Sequence, residues 1–137
     1  MKYSELIELF FERTNALQDY WTLYVVIVGG LLAFSSLRKQ PAALTTLIVS
    51  ILFGLFAYEN LTAIIDSATQ RFAALEAIRQ SAPEFPAVRE VLEPTLKPAS
   101  YASTRTTHLV SDLLTIAALW AMEWRRRKYP GADAATR

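Results

Sequence analysis

Cysteine is absent from this 137-residue chain, and histidine occurs once, as His108. Those two facts exclude a disulfide framework, a thiolate metal site, a cysteine nucleophile and a multi-histidine metal site within one chain. No excess of either charge is present: fourteen Lys and Arg face thirteen Asp and Glu. A face for nucleic acid needs a broad cationic surplus, so nucleic acid is not an expected partner. A cleavable signal starts with cations and soon turns apolar, whereas here the apolar run begins only near Tyr20. Glu5, Glu8, Glu12 and Asp19 precede it, so the opening residues do not read as a cleavable signal. No lipidation motif and no internal repeat of fixed period stands out. No nucleophile or metal set assembles into a catalytic constellation, and the expectation is a non-enzymatic protein.

What the chain does have is long apolar runs. "YWTLYVVIVGGLLAFSSL" covers Tyr20 to Leu37, "AALTTLIVSILFGLFAYENLT" covers Ala42 to Thr62, and a third run spans about Thr106 to Trp124. Ionic residues bracket each one. Asp19 and Arg38 lie 19 positions apart, while Lys39 and Glu59, and Arg105 and Arg125, lie 20 apart. As helix, each interval measures roughly 30 Å, the thickness of a hydrocarbon core. Tyr20, Trp21 and Tyr24 gather at the start of the first run, and Trp120, Trp124 and Tyr129 at the end of the third. Such rings favour the headgroup zone. The expected fold class is therefore all-α: an integral membrane protein with three transmembrane helices.

Residues 1–19 read as an amphipathic outer helix continuous with the first crossing at 20–37. A short loop at 38–41 leads to the second crossing at 42–66. Residues 67–82 contain neither Gly nor Pro and should carry that helix outward, so helices 1 and 2 extend beyond the outer leaflet. Residues 83–105 hold four of the six prolines and read as an outer loop, with room for a short helix at 87–93. The third crossing is placed at 106–124 and a basic tail at 125–137. Arg38 and Lys39 in the short loop, and Arg125, Arg126, Arg127 and Lys128 after the third run, share one side if the crossings are three. That side is expected to be cytoplasmic, with the N-terminus outside, in a bacterial inner (plasma) membrane. Arg71, Arg79, Arg89, Lys97 and Arg105 are dispersed among acids on the other side. The Arg125–Lys128 run also suits anionic lipid headgroups. Phe10, Phe11, Phe72 and Leu75 would lie in water unless the outer helices cover one another or dock a partner.

Several residues are out of place in such spans. Asp112 lies seven positions inside Arg105, roughly 10 Å below the boundary. An isolated carboxylate there costs on the order of 2.5–3.5 kcal/mol. Arg105, His108 and Asp112 follow an i, i+3, i+7 pattern and share a helix face. Asn15, Asp19 and Thr22 on the first helix, and Glu59, Asn60, Thr62 and Asp66 on the second, are polar at the same end. Asp19, Glu59, Asn60, Arg105, His108 and Asp112 form a candidate intramembrane cluster. Three uses remain open: hydrogen bonding between helices, an ion or proton site at the mouth of an oligomeric channel, and axial ligation of a haem or chlorophyll by His108. Small residues also recur at three- and four-residue steps. Gly29, Gly30 and Ala33, and Thr46, Ser50, Gly54 and Ala57, suit close packing of helices in lipid. The expected role is a structural or accessory subunit of a homo- or hetero-oligomeric membrane complex, with an ion channel bearing an acidic vestibule as the alternative.

Overall fold

A computed structural model describes residues 2–83 and 86–129. It is all-helical, with no strand among the described residues. Helix α1 spans Tyr3–Leu37, α2 Ala43–Gln80, α3 Pro86–Leu92 and α4 Tyr101–Lys128, with a 3-10 turn at Glu93–Thr95 between α3 and α4. Two of them, α1 and α2, are long and apolar enough to cross a membrane. Residues 130–137, the end of the expected basic tail, lie outside the described residues.

The helix ends follow from local chemistry. Pro41 lacks an amide donor and closes the link between α1 and α2, and Pro83 follows the end of α2. Pro86 occupies the first position of α3, where its missing N–H would be an orphan in any case. Helix α4 begins four residues before the Arg105 boundary marker. Ser100 precedes its first turn, and its Oγ accepts the Ser103 amide at 3.2 Å, an N-cap. The cations Arg125–Lys128 fill the last turn of α4, where they complement the helix dipole. Thr14, Thr22, Ser50, Thr69 and Thr115 each donate to the carbonyl four residues back, so these hydroxyls are satisfied within their own helices.

The chain divides into two compact units. The first joins the chain up to Thr22 with Leu61–Arg105. Its core is apolar: Tyr3, Leu6 and Phe10 of α1 meet Ala74, Leu75 and Ile78 of α2 and Leu96 after the 3-10 turn. Glu5, Glu8, Glu12, Asp66, Glu76 and Gln80 stay exposed. Phe10 and Leu75 are thus covered within the chain, Phe72 stacks on Tyr101 at 4.7 Å between ring centroids, and Phe11 remains exposed. Arg89 of α3 caps the end of α2. Its Nη2 lies 3.2 Å from the carbonyls of Ile78 and Arg79 and also bonds that of Ser81, while its Nε donates to Glu93 at 2.6 Å. Carbonyls at a helix C-terminus have no partner within the helix, and a cation there is favoured twice, by hydrogen bonding and by the dipole.

The second unit joins Leu23–Asn60 with the chain from Thr106 on. Its polarity is reversed. The buried residues include Ser35, Thr46, Asn60, His108, Thr115 and Glu123, beside Tyr24, Phe53, Ala57 and Leu119. The exposed ones include Val25, Val26, Leu44, Ile48, Ile51, Leu52, Leu55, Leu113 and Leu114. Of the small residues in this unit, Thr46 and Ala57 are buried, whereas a side chain added at Gly29, Gly30 or Gly54 would touch nothing within 4 Å among the described residues. Ala33 is exposed, and Ser50 turns its hydroxyl onto the Thr46 carbonyl at 2.8 Å. The three glycines thus keep open faces among the described residues of one chain.

Candidate functional site

Two polar clusters occupy the interior of the second unit. The first is a chain of hydrogen bonds across three helices. His108 and Asp112 sit four residues apart on α4, the spacing that stacks two side chains on one face. Nδ1 of His108 lies 2.9 Å from Oδ2 of Asp112. The other carboxylate oxygen, Oδ1, accepts the Tyr24 hydroxyl of α1 at 2.8 Å. On the far side of the imidazole, Nε2 lies 3.1 Å from Oδ1 of Asn60 on α2. The Tyr24 ring packs against the imidazole at 4.4 Å between centroids, with Phe53 beyond it at 6.4 Å. His108 has no exposed surface.

The order of donors and acceptors constrains this chain. With Oδ1 of Asn60 facing Nε2 and a carboxylate facing Nδ1, both ring nitrogens must donate, which requires an imidazolium. Turning the Asn60 amide over offers Nδ2 instead, and a neutral ring then serves with Nδ1 as its donor. Either way both ring nitrogens are engaged. Axial ligation of a haem or chlorophyll by His108 would require breaking the Asn60 contact inside a closed interior.

The second cluster centres on Glu123, which is 1 % exposed. Oε2 accepts from Thr46 Oγ1 at 3.2 Å, Arg126 Nη2 at 3.4 Å and Arg38 Nη2 at 3.5 Å, and Oε1 accepts from Arg127 Nε at 3.2 Å. The arginines reach further. Arg38 donates to Thr46 Oγ1 and to the Ala42 carbonyl, and Arg126 to the carbonyl and hydroxyl of Ser35. One carboxylate thereby joins the end of α1, the start of α2 and the end of α4. From Asp112 to Glu123 is eleven residues, about 16 Å along the helix.

Comparison with known proteins yields no relative. No protein-family model matches the chain, and neither does any curated protein or solved structure.

Of the six residues expected to cluster, the structure brings together Asn60, His108 and Asp112. Asp19, Glu59 and Arg105 are exposed, and none of them enters an ion pair among the described residues. Arg105 thus plays no part in neutralising Asp112; His108 and Tyr24 are its partners. Of the four expected headgroup cations, Arg126 is an interior residue with a side chain 10 % exposed, and Arg127 is tied to Glu123. Lys128 lies over the Trp124 and Tyr129 rings, 5.0 and 5.6 Å from their centroids.

Glu123 is absent from the sequence-based candidates, and Tyr24, Arg38 and Thr46 enter them only as a headgroup ring, a boundary cation and a small packing residue. Glu123 carried a legible signal: an acid at the end of an apolar run, three and four residues before Arg126 and Arg127. Tyr24 carried none, since a tyrosine near a span end reads equally well as a headgroup anchor. In the first unit, Arg71 is also buried, with an Nε that has no hydrogen-bond partner among the described residues. Burial lowers its guanidinium below the ordinary arginine range, and nearby Tyr101 acts in the opposite direction.

Proposed function

We propose that the chain is an integral membrane protein with three crossings that serves, without enzymatic activity, as a subunit of a homo- or hetero-oligomeric membrane complex. The observation that carries this reading is the reversed polarity of the second unit, which buries Asn60, His108 and Glu123 while exposing Leu44, Ile48, Ile51, Leu52 and Leu55. In water that arrangement leaves a broad apolar face unpaid. In lipid it is the low-energy one: side chains facing acyl tails are apolar, and polar groups bond to one another between helices. Helix α4 serves as the third crossing by the same logic. Its polar residues His108, Thr115 and Glu123 share the buried face, and Leu109, Val110, Leu113, Leu114 and Trp124 look outward. The cations at 38–39 and 125–128 favour a cytoplasmic location for those segments and an external N-terminus.

A subunit role accounts for two further features. Tyr24, Asn60, His108 and Asp112 are bonded to each other across three helices, as a holding network requires. Ala33 is exposed and nothing among the described residues lies within 4 Å of a side chain added at Gly29 or Gly30, and small residues of this kind let another helix approach closely in lipid. A channel with an acidic vestibule finds less support, because both oxygens of Asp112 are occupied by Tyr24 and His108.

The test is the mass of the assembly released gently into lipid nanodiscs. The expected result is a multiple of the 15.4 kDa chain or a complex with a stoichiometric partner. A single bare chain under all gentle conditions would overturn the subunit role. Extraction by alkaline wash would overturn membrane integration, as would labelling of Lys39 and Lys128 from opposite compartments for the three-crossing topology. Ion currents altered by Asp112→Asn or Glu59→Gln would decide for the channel.

A further inference from the structure

Beside the Glu123 cluster lies a cavity of about 200 Å³, lined by Ser36 and Arg38 from the end of α1 and its link, and by Met122, Arg125 and Arg126 of α4. At about 30 Å³ per water, it has room for several waters or one tetrahedral oxyanion. Its lining is unusual in charge. Three arginines and a serine hydroxyl converge on it, with no acid among the lining residues.

The nearest carboxylate does not balance them. Glu123 already serves Arg38, Arg126 and Arg127, three cations to one anion. Arg125 has no ion pair or side-chain hydrogen bond among the described residues. The Nε of Arg126 is buried without a hydrogen-bond partner among the described residues, although its two Nη groups are engaged. A buried guanidinium donor without an acceptor is costly, and planar guanidinium groups match phosphate oxygens in fork geometry. Met122 adds an apolar wall, and Leu37 beside the site is 79 % exposed.

The geometry points to a phosphate-binding site: the cavity takes one phosphate ester, its oxygens bonded by Arg125, Arg126 and Arg38, while the Ser36 hydroxyl, which donates to the Ala33 carbonyl at 2.8 Å, forms part of the wall. Two sources share this chemistry, the headgroup of an anionic phospholipid and soluble phosphate. The choice of lipid as the first source rests on the membrane reading above; the anion site itself does not.

The experiment uses the full chain in neutral detergent, with native mass spectrometry and thermal unfolding as readouts. The probes are phosphatidylglycerol, phosphatidylcholine and inorganic phosphate. The expected result is one retained phosphatidylglycerol per chain, a raised Tm, and no comparable effect of phosphatidylcholine. Saturable stabilisation by inorganic phosphate that excludes phosphatidylglycerol would instead assign the site to soluble phosphate. Arg125→Gln removes a lining cation that holds no structural bond and should weaken the interaction about fivefold. Lys128→Gln removes the same charge from the same helix end outside the cavity and should leave binding unchanged. Equal losses in Arg125→Gln and Lys128→Gln would overturn a built site in favour of diffuse attraction, and absence of any response to phosphatidylglycerol or phosphate would overturn the site altogether. These outcomes are independent of the assembly mass, so failure here and failure of the subunit reading are told apart.

Discussion

Glu123 concentrates more of the interior's electrostatics than any other described side chain, because three arginines use it as their common acid. Removing one partner of a buried ion pair is far more damaging than the pair is stabilising, since the remaining charges stay desolvated. Glu123→Gln keeps the shape and leaves Arg38, Arg126 and Arg127 without a counter-charge. Its expected cost is on the order of 3 kcal/mol, at the lower end of the buried-pair range because Arg127 is half exposed. In the other cluster, His108→Ala strands Asp112 and Asn60 together and should cost about 1–3 kcal/mol. Tyr24→Phe deletes a single interhelical donor, worth roughly 0.6–1.7 kcal/mol in a membrane bundle. Thermal unfolding in one detergent should rank the three in that order. Tyr24→Phe proving as damaging as Glu123→Gln would contradict the assignment of the carboxylate as the common anchor.

At the scale of elements, helix continuity was readable and helix ends were less so. No Gly or Pro interrupts residues 67–82, and α2 runs through to Gln80. The third crossing is read from 106 because the ionic marker Arg105 measures a crossing, whereas a cap starts a helix, and the helix is the longer of the two. Ser100 is that cap, and α4 opens at Tyr101. The end of α2 depends on a residue ten positions away: Arg89 of α3 bonds its last carbonyls. Arg89→Ala should therefore fray the last turn of α2. The expected loss is about 1–2 kcal/mol for a partly buried cation at a helix C-terminus. Amide exchange over residues 77–83 should quicken roughly tenfold while that of the second unit holds. Unchanged exchange there would remove the capping role.

On the scale of the whole molecule the deciding contrast is between two interiors. Unit one buries Leu6, Phe10, Leu75 and Ile78 and exposes its acids, as a protein in water does. Unit two buries Asn60, His108 and Glu123 and exposes Ile48, Ile51 and Leu52. A substitution at Ile51, 55 % exposed, separates the two solvents. In water, Ile51→Asp at an exposed site should change stability by no more than about 0.5 kcal/mol. Facing acyl chains, it should cost about 2.5–3.5 kcal/mol and reduce the membrane-inserted fraction sharply. Insertion yield in a reconstituted membrane system measures the difference, and a neutral Ile51→Asp would set the lipid-facing assignment aside.

By itself the sequence determined the elements: apolar runs of bilayer length, helix formers between prolines, and cations gathered at two places. Those are local patterns, written within a few turns of chain. Candidate residues Asn60, His108 and Asp112 were legible because a polar group in an apolar run is conspicuous wherever it folds. Only the tertiary structure decided who their partners are. Tyr24 meets Asp112 across 88 positions and Thr46 meets Glu123 across 77. Such pairings arise when helices pack and water is excluded, so that each buried donor takes whichever acceptor lies within about 3 Å. No spacing rule along one helix specifies that choice.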